Sequence, residues 1–173
     1  CDMHLEILNK EFNLPVIFTR AANVYGAGQQ LYRIIPQTII KARLGEKLSL
    51  EGGGKSIRSF IHINDVSKAV FKILISGKNG HSYHIWTNKM ISIRDLVLKI
   101  AKIIGINYKK LIKSTPERRA KDYAYLLNTS KIRKTLKWKD VISLKNGILD
   151  TLVWVDKNLK IIKKQSTIYK HKA

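Results

Sequence analysis

The stretch "SLEGGGKSIRSFIHIND", residues 49–65, decides the fold, because its glycines admit two incompatible readings. A run ending in Lys-Ser could be a phosphate-gripping loop, which has the form G-x-x-x-x-G-K-[ST] and lies between a strand and a helix. With Gly54, Lys55 and Ser56 closing that pattern, its first glycine falls on Ser49. The adjoining "IRSFIHI" is β-branched and aromatic, which predicts a strand where the loop requires a helix. Both conditions fail. The three glycines are therefore expected to turn the chain between two strands, "KLSL" and "SIRSFIHI".

Outward from this turn the pattern alternates. Upstream, "DMHLEILNKEF" sets Leu5, Leu8 and Phe12 at helical spacing before Pro15, and "PVIFTR" is a short apolar strand of the kind buried on both faces in a parallel sheet. "AANVYGAGQQ" is a loop, and "LYRIIPQTIIKARLG" a helix of about three turns whose regular part is expected to begin near Pro36 and to close at Gly45. Downstream, "NDVSKAVFKILIS" is a helix with Asn64 or Asp65 as its cap and Val66, Ala69, Val70 and Ile73 as its buried stripe. "HSYHIWT" is a strand, and "SIRDLVLKIAKIIG" a helix with Ser92 and Asp95 as a capping box and Gly105 as its stop. A polar loop, "TPERRAKDYAYLLN", precedes a short helix in "TSKIRKTLKW". The last helix, "SLKNGILDTLVWVDKNLK", should turn Leu144, Ile148, Leu152 and Trp154 or Val155 inward. Alternating strands and helices predict an α/β protein, with too few strands for a full doubly wound sheet.

Composition sets the outer limits. The 173 residues, 45% hydrophobic and 26% charged, suit one globular domain. The apolar runs are too short to span a membrane, and "CDMHLEILNK" has neither the basic nor the apolar segment of a signal peptide. The single cysteine, Cys1, allows no internal disulfide, consistent with a cytoplasmic protein. A first residue other than Met leads us to expect a processed chain or a piece of a longer one. The net charge of +21, from 33 Lys+Arg against 12 Asp+Glu, makes a polyanion a legitimate partner. Yet the cations are mostly Lys, spread along the chain among Ile and Leu, as on ordinary solvated helix faces. Only the tail "KNLKIIKKQSTIYKHKA" concentrates them. No zinc-ligand set, helix-turn-helix signature or stacking-aromatic motif supports a nucleic-acid module, and no metal site is expected.

Four segments in order carry a resemblance: "TRAANVYGAGQQLYRIIPQTIIKA", "GGGKSIRSFIHINDVSKAV", "SYHIWTNKMISIRDLV" and "ERRAKDYAYLLNTSKIRKTLKW". Together they resemble the carboxy-terminal half of an extended short-chain dehydrogenase/reductase. Within that superfamily they are most similar to the NAD-dependent nucleotide-sugar epimerases and dehydratases, in particular the nucleoside-diphosphate-glucose 4,6-dehydratases. The resemblance covers residues 1–160 and implies the carboxy-terminal part of a Rossmann-type doubly wound parallel sheet plus a small mixed α/β substrate lobe. Residues 161–173 are left as a basic tail.

The resemblance also assigns residues. Arg58 matches the arginine that contacts the nucleotide diphosphate, and its place between apolar Ile57 and Phe60 is consistent, since an unpaired buried cation is costly and Arg suits phosphate. An internal salt bridge or a surface strand is the structural alternative. Asn23 matches the asparagine that hydrogen-bonds the nucleotide sugar near its diphosphate, and a turn-making role is its alternative. Arg33 matches a basic residue beside the substrate, or is a solvated charge at a helix start. Arg118 matches a second arginine on the diphosphate, although Arg119 and Ala120 replace the Pro-Gly usual there, so that Arg119 could serve instead. Asn88 is a possible contact to the nucleoside end or a strand-end cap. Ala21 and Ala22 match small residues lying against the nicotinamide. Asp65 matches a family aspartate, but capping a helix accounts for it.

Two family motifs have no match in this chain. The residues four after the tyrosines are Gln29, Pro36, Thr87, Ile112, Leu127, Thr129 and Ala173, so Tyr-x-x-x-Lys does not occur, and no G-x-x-G-x-x-G turn is present for the NAD pyrophosphate. In relatives the Tyr-Lys helix runs directly into the segment that Cys1–Phe12 resembles. The expectation is a substrate-binding half of a longer, homodimeric, NAD-dependent dehydratase, inactive alone. In the parent reaction a hydride leaves C4 of the sugar, water is lost across C5–C6, and the hydride returns to C6. A nucleotide-sugar 4-epimerase of the same family is the first alternative. A non-catalytic sugar-nucleotide sensor and a basic nucleic-acid-binding module are the others.

Overall fold

The computed structural model describes residues 1–117, 122–124 and 126–167. In chain order the elements are α1 (Asp2–Phe12), β1 (Phe18–Ala21), β2 (Val24–Tyr25), α2 (Ile34–Leu44), β3 (Leu48–Glu51), a 3-10 turn (Gly52–Gly54), β4 (Ile57–Ser59), β5 (Ile61–His62) and α3 (Ile63–Ser76). They continue as β6 (Ser82–Ile85), β7 (Met90–Ser92), α4 (Ile93–Ile104), α5 (Tyr108–Leu111), β8 (Ile112–Thr115), α6 (Ser130–Thr135) and α7 (Leu144–Ile162). No helix among the described residues is long and apolar enough to cross a membrane. The chain forms two compact units. One comprises Cys1–Val24, Ser59–Lys89 and Leu126–Ile142, the other Tyr25–Arg58, Met90–Tyr125 and Ser143–Ala173.

In the first unit β1 and β6 run parallel, Phe18 opposite Ser82 and Ala21 opposite Ile85. A parallel pair needs a long crossover, and α3 returns the chain to β6. Its Val66, Ala69 and Ile73 close a core with Ile61, Tyr83 and Ile85, completed by Ile132, Leu136 and Trp138. Three expectations are corrected here. The cap of α3 is His62, whose ring accepts from the Asn64 N–H, so neither Asn64 nor Asp65 caps it. Val70 is exposed and lies outside the buried stripe. In β1 only Phe18 is buried, while Thr19, Arg20 and Ala21 are exposed, so this strand is not covered on both faces among the described residues.

In the second unit β3 and β8 run parallel, Leu48 opposite Ile112 and Glu51 opposite Thr115. Leu48 and Leu50 alternate inward from β3 and pack on Val97 and Ala101 of α4 and Leu111 of α5. The predicted capping box closes the start of α4. Ser92 Oγ accepts from the Asp95 N–H at 3.0 Å and donates to the Asp95 carboxylate at 2.6 Å. Gly105 ends the helix at φ 79°. In α7 the buried positions are Gly147, Ile148, Thr151, Val155 and Ile162. The inward stripe therefore runs through Thr151, with its hydroxyl bonded to the Gly147 carbonyl, and Leu152 is only half-buried.

The glycine run is a turn and not a phosphate loop. Gly52, Gly53 and Gly54 all have left-handed φ, at 57°, 67° and 75°, and a strand comes next. At Gly54 a Cβ would stand 2.9 Å from the Arg94 backbone nitrogen, so a side chain there is excluded by sterics as well as by φ.

Candidate functional site

The carboxyl ends of parallel strands are where open α/β sheets bind ligands. At that edge of the first unit the chain leaves β1 through Ala22 and Asn23, and leaves β6 through Trp86, Thr87 and Asn88. Ala21 is exposed at the last position of β1, and Ala22 is buried. Asn23 adopts φ 45°, the left-handed conformation that asparagine tolerates better than most residues, and its carbonyl accepts from the Ile61 N–H at 3.3 Å. Asn23 thus fixes a turn and sits half-buried at the carboxyl end of β1. Asn88 is exposed, and its Oδ1 accepts from the Trp86 indole N–H at 3.2 Å, so it caps a buried aromatic ring.

Two networks that sequence reasoning missed lie in this unit, and the first braces this edge. Arg133 donates to the Thr129 hydroxyl, the Trp86 carbonyl and the Asp140 carboxylate, and its guanidinium stacks 5.2 Å from the centroid of the Trp138 ring. Burial would push the Asp140 carboxyl up, but Arg133 and Thr87 outweigh it and hold the group below its usual range. The second network centres on Asp65, which is almost fully buried. Its Oδ2 accepts from the backbone N–H groups of Val141 at 3.1 Å and Ile142 at 2.9 Å, and its own carbonyl accepts from Trp138 Nε1. Neither partner lies near Asp65 in sequence, and the capping explanation concealed the need for one.

Arg58 and Arg33 belong to the second unit. Arg58 is half-buried in β4. Its Nη1 donates to the Ile57 and Tyr123 carbonyls at 2.7 and 2.9 Å, and its Nη2 to the Asp122 carbonyl at 2.7 Å. The Ile57 N–H also donates to the Tyr123 carbonyl, at 2.8 Å, so the segment at 122–123 is docked along β4 and clamped by the guanidinium. Arg33 is exposed at the N-cap of α2, with its guanidinium 5.3 Å from the centroid of the Tyr32 ring. Arg118 and Arg119 lie outside the described residues. Two cavities of this unit lie elsewhere. One of about 380 Å³ is lined by Lys41, Ala42, Glu46, Ile106 and Lys110, and one of about 290 Å³ by Leu50, Gly53, Arg94, Tyr108 and Ser114. Neither includes Arg33 or Arg58. Both hollows mix apolar side chains with lysine and other polar groups.

Comparison with known proteins bears on this geometry. The NAD dependent epimerase/dehydratase family matches residues 2–86. A dTDP-D-glucose 4,6-dehydratase from Dictyostelium discoideum is 33% identical over 182 residues, covering 86% of this chain and 42% of its own. A trifunctional UDP-glucose 4,6-dehydratase from Arabidopsis thaliana is 32% identical over 157 residues, covering 91% of this chain and 23% of its own. Among solved structures, a dTDP-glucose 4,6-dehydratase from Streptomyces venezuelae with NAD bound superposes with a TM-score of 0.87 at 25% identity, covering 92% of this chain and 49% of that one. A UDP-glucose 4-epimerase from Thermotoga maritima with UDP-glucose gives 0.85 at 25%, covering 91% and 51%. The chain therefore spans about half the length of these solved relatives and less than half that of the curated ones.

Proposed function

We propose that this chain, which belongs to the NAD-dependent epimerase/dehydratase family, supplies the substrate-binding half of a nucleotide-sugar 4,6-dehydratase. The parent enzyme would convert a nucleoside-diphosphate glucose to its 4-keto-6-deoxy form. The observation that carries the reading is the match in both fold and sequence to dTDP-glucose 4,6-dehydratases over about nine tenths of the chain. In this reading Arg58 and Arg118 hold the diphosphate, Asn23 the sugar beside it, Arg33 a flanking position and Asn88 the nucleoside end. The left-handed turn at Asn23 supports its part, because it sets a short amide at the carboxyl edge of β1.

NAD is the cofactor of the parent enzyme, where it would accept and return the hydride. In this reading Ala21 and Ala22 offer small side chains that a flat ring could lie against, and the glycine run serves as a 3-10 turn with a strand after it. The pyrophosphate cradle and the acid/base groups would come from the other half of the family domain, and the chain alone would be inactive. We place the assembled enzyme in the cytoplasm as a homodimer. The lone, exposed cysteine agrees with a reducing compartment.

Calorimetric titration of the protein with dTDP-glucose, UDP-glucose and ADP-glucose tests the reading. One of them should bind, and Arg58→Ala should weaken it about tenfold or more, the loss of one charge-assisted contact. Wild-type affinity in Arg58→Ala would remove Arg58 from the diphosphate. The similarity to the Thermotoga epimerase favours a second reading, a 4-epimerase. The two are separated by the product that the full-length parent enzyme forms, a 4-keto-6-deoxy sugar or a 4-epimer, identified by NMR.

A further inference from the structure

Of the two cavities in the second unit, the one of about 290 Å³ brings cations and hydroxyls together, and none of its described lining residues carries a carboxylate. Leu50 and Ile112, side chains of the β3–β8 pair, form its apolar wall. Arg94, from the first turn of α4, and Lys109, from α5, bring two positive charges, while Tyr108 and Ser114 bring hydroxyls. The glycine turn completes the lining. Gly53, at φ 67°, shows bare backbone to this space, and a Cβ there would stand 3.8 Å from Ser114 Oγ. The charges set the cavity apart from an ordinary solvated surface. In the same unit Lys41 pairs with Glu46 and Arg43 with Asp156. The Arg94 guanidinium and the Lys109 ammonium have no hydrogen bond or ion pair among the described residues. The local sequence deepens the imbalance. Residues 96–116 contain no Asp or Glu, and Lys99, Lys102, Lys109, Lys110 and Lys113 all fall there. The flanking carboxylates are placed elsewhere, Asp95 on the Ser92 hydroxyl and Glu117 over Gly52, outside the described lining.

We propose that this cavity is a binding site for a small phosphate monoester, separate from the residues assigned to the nucleotide sugar. Two cations match the charge of about −1.5 to −2 that a phosphate monoester carries at neutral pH, whereas a carboxylate carries one. The planar fork of Arg94 suits two phosphate oxygens, Lys109 serves as a point charge, and the hydroxyls of Tyr108 and Ser114 are donors for the oxygens that remain. The apolar wall and the Tyr108 ring offer the organic body of an ester a surface that bare phosphate does not need. The size points away from the nucleotide sugar itself. Pockets for drug-sized ligands run from about 300 to 1,000 Å³, so this one takes a compact molecule such as a sugar phosphate. The inference does not rest on the functional reading above, since Asn23, Arg33 and Arg58 all lie outside the lining.

Isothermal titration with glucose 1-phosphate and glycerol 3-phosphate tests the site, with inorganic phosphate and glucose as references. At least one ester should bind more tightly than inorganic phosphate, and glucose should not bind. Which ester binds distinguishes a sugar body from a smaller one. The double variant Arg94→Ala with Lys109→Ala should weaken the ester at least tenfold. Both side chains are exposed, so the variant should keep the wild-type circular dichroism. Tyr108→Phe, which keeps the ring and removes one hydroxyl, should weaken the ester to a lesser degree. Lys99→Ala with Lys102→Ala removes the same charge from exposed positions of α4 outside the cavity and should leave the affinity unchanged, as should Arg58→Ala. Absence of ester binding, inorganic phosphate binding as tightly as both esters, or wild-type affinity in the Arg94 and Lys109 variant overturns the inference. So does an equal loss in the Lys99 and Lys102 variant, which assigns the binding to the general positive field. A loss in Arg58→Ala that the Arg94 and Lys109 variant does not share moves the ester to the diphosphate residues and overturns it as well.

Discussion

Replacing Asp65 with alanine tests whether the buried carboxylate organises the first unit. Asp65 is 1% exposed, and its Oδ2 accepts from the backbone N–H groups of Val141 and Ile142 at 3.1 and 2.9 Å. Each is a bond to a charged group, worth about 1.5–3 kcal/mol, so removing both costs roughly 3–6 kcal/mol. Against this stands the desolvation of the carboxylate. Its Oδ1 is buried with no hydrogen-bond partner among the described residues, and relief of that cost returns about 1–3 kcal/mol. The expected net loss is about 2–3 kcal/mol, or on the order of 30- to 150-fold in the unfolding equilibrium. Asp65→Asn keeps one oxygen able to accept both N–H groups and should lose about 1 kcal/mol. Urea denaturation followed by fluorescence measures the total, since the buried Trp138 donates to the Asp65 carbonyl. Hydrogen exchange at Val141 and Ile142 localises it. An Asp65→Ala protein within about 0.5 kcal/mol of wild type, with unchanged exchange at those two amides, would refute the reasoning.

Asp140 makes stability depend on acid. Burial favours its neutral form, but Arg133 and Thr87 prevail and its folded pKa lies below the unfolded one. Its contribution is therefore complete above the ordinary carboxylate range and is lost as pH falls through the depressed value. Urea midpoints measured from about pH 6 down to about pH 2 should decline, and Asp140→Asn should flatten that decline. Gly54→Ala should destabilise more than Gly45→Ala under thermal denaturation. Both have positive φ, which costs about 1 kcal/mol, but a Cβ at Gly54 meets the Arg94 backbone whereas one at Gly45 meets nothing within 4 Å. Ser92→Ala should lose about 1 kcal/mol by removing the cap of α4, read in the same assay.

Elements with a strong local signature were legible from residue order. The capping box at Ser92 and Asp95, the glycine stop at Gly105 and the strand in "KLSL" all depend on neighbours within a few residues, and the structure has them. What escaped was short or long-range. Strands β2, β7 and β8 have two to four residues each, too few to display a period of two. The 19-residue α7 was plain as a helix, but its inward face is set by packing on α2, which gives Thr151 a core position that hydrophobicity would assign to Leu152. The exposure of Phe71, Leu74 and Ile75 on α3 was invisible, because a helix apolar on two sides has the same composition as one apolar on a single broad side.

The same limit governs the site. An arginine flanked by apolar residues in a strand announces that a desolvated cation needs a partner, and sequence supplied two candidates, a phosphate and a carboxylate. The structure contains a third. Arg58 directs its guanidinium to the backbone carbonyls of Asp122 and Tyr123, more than sixty residues away, together with the adjacent Ile57 carbonyl. Carbonyl oxygens satisfy donors without adding a formal charge, so these three bonds fix the segment at 122–123 through hydrogen bonding alone. Asn23 likewise serves the fold through its backbone, a left-handed turn whose carbonyl accepts from the Ile61 N–H. At both positions the bonds that tie the residue to the fold reach partners distant in sequence, and residue order alone displays no period or motif for such pairs.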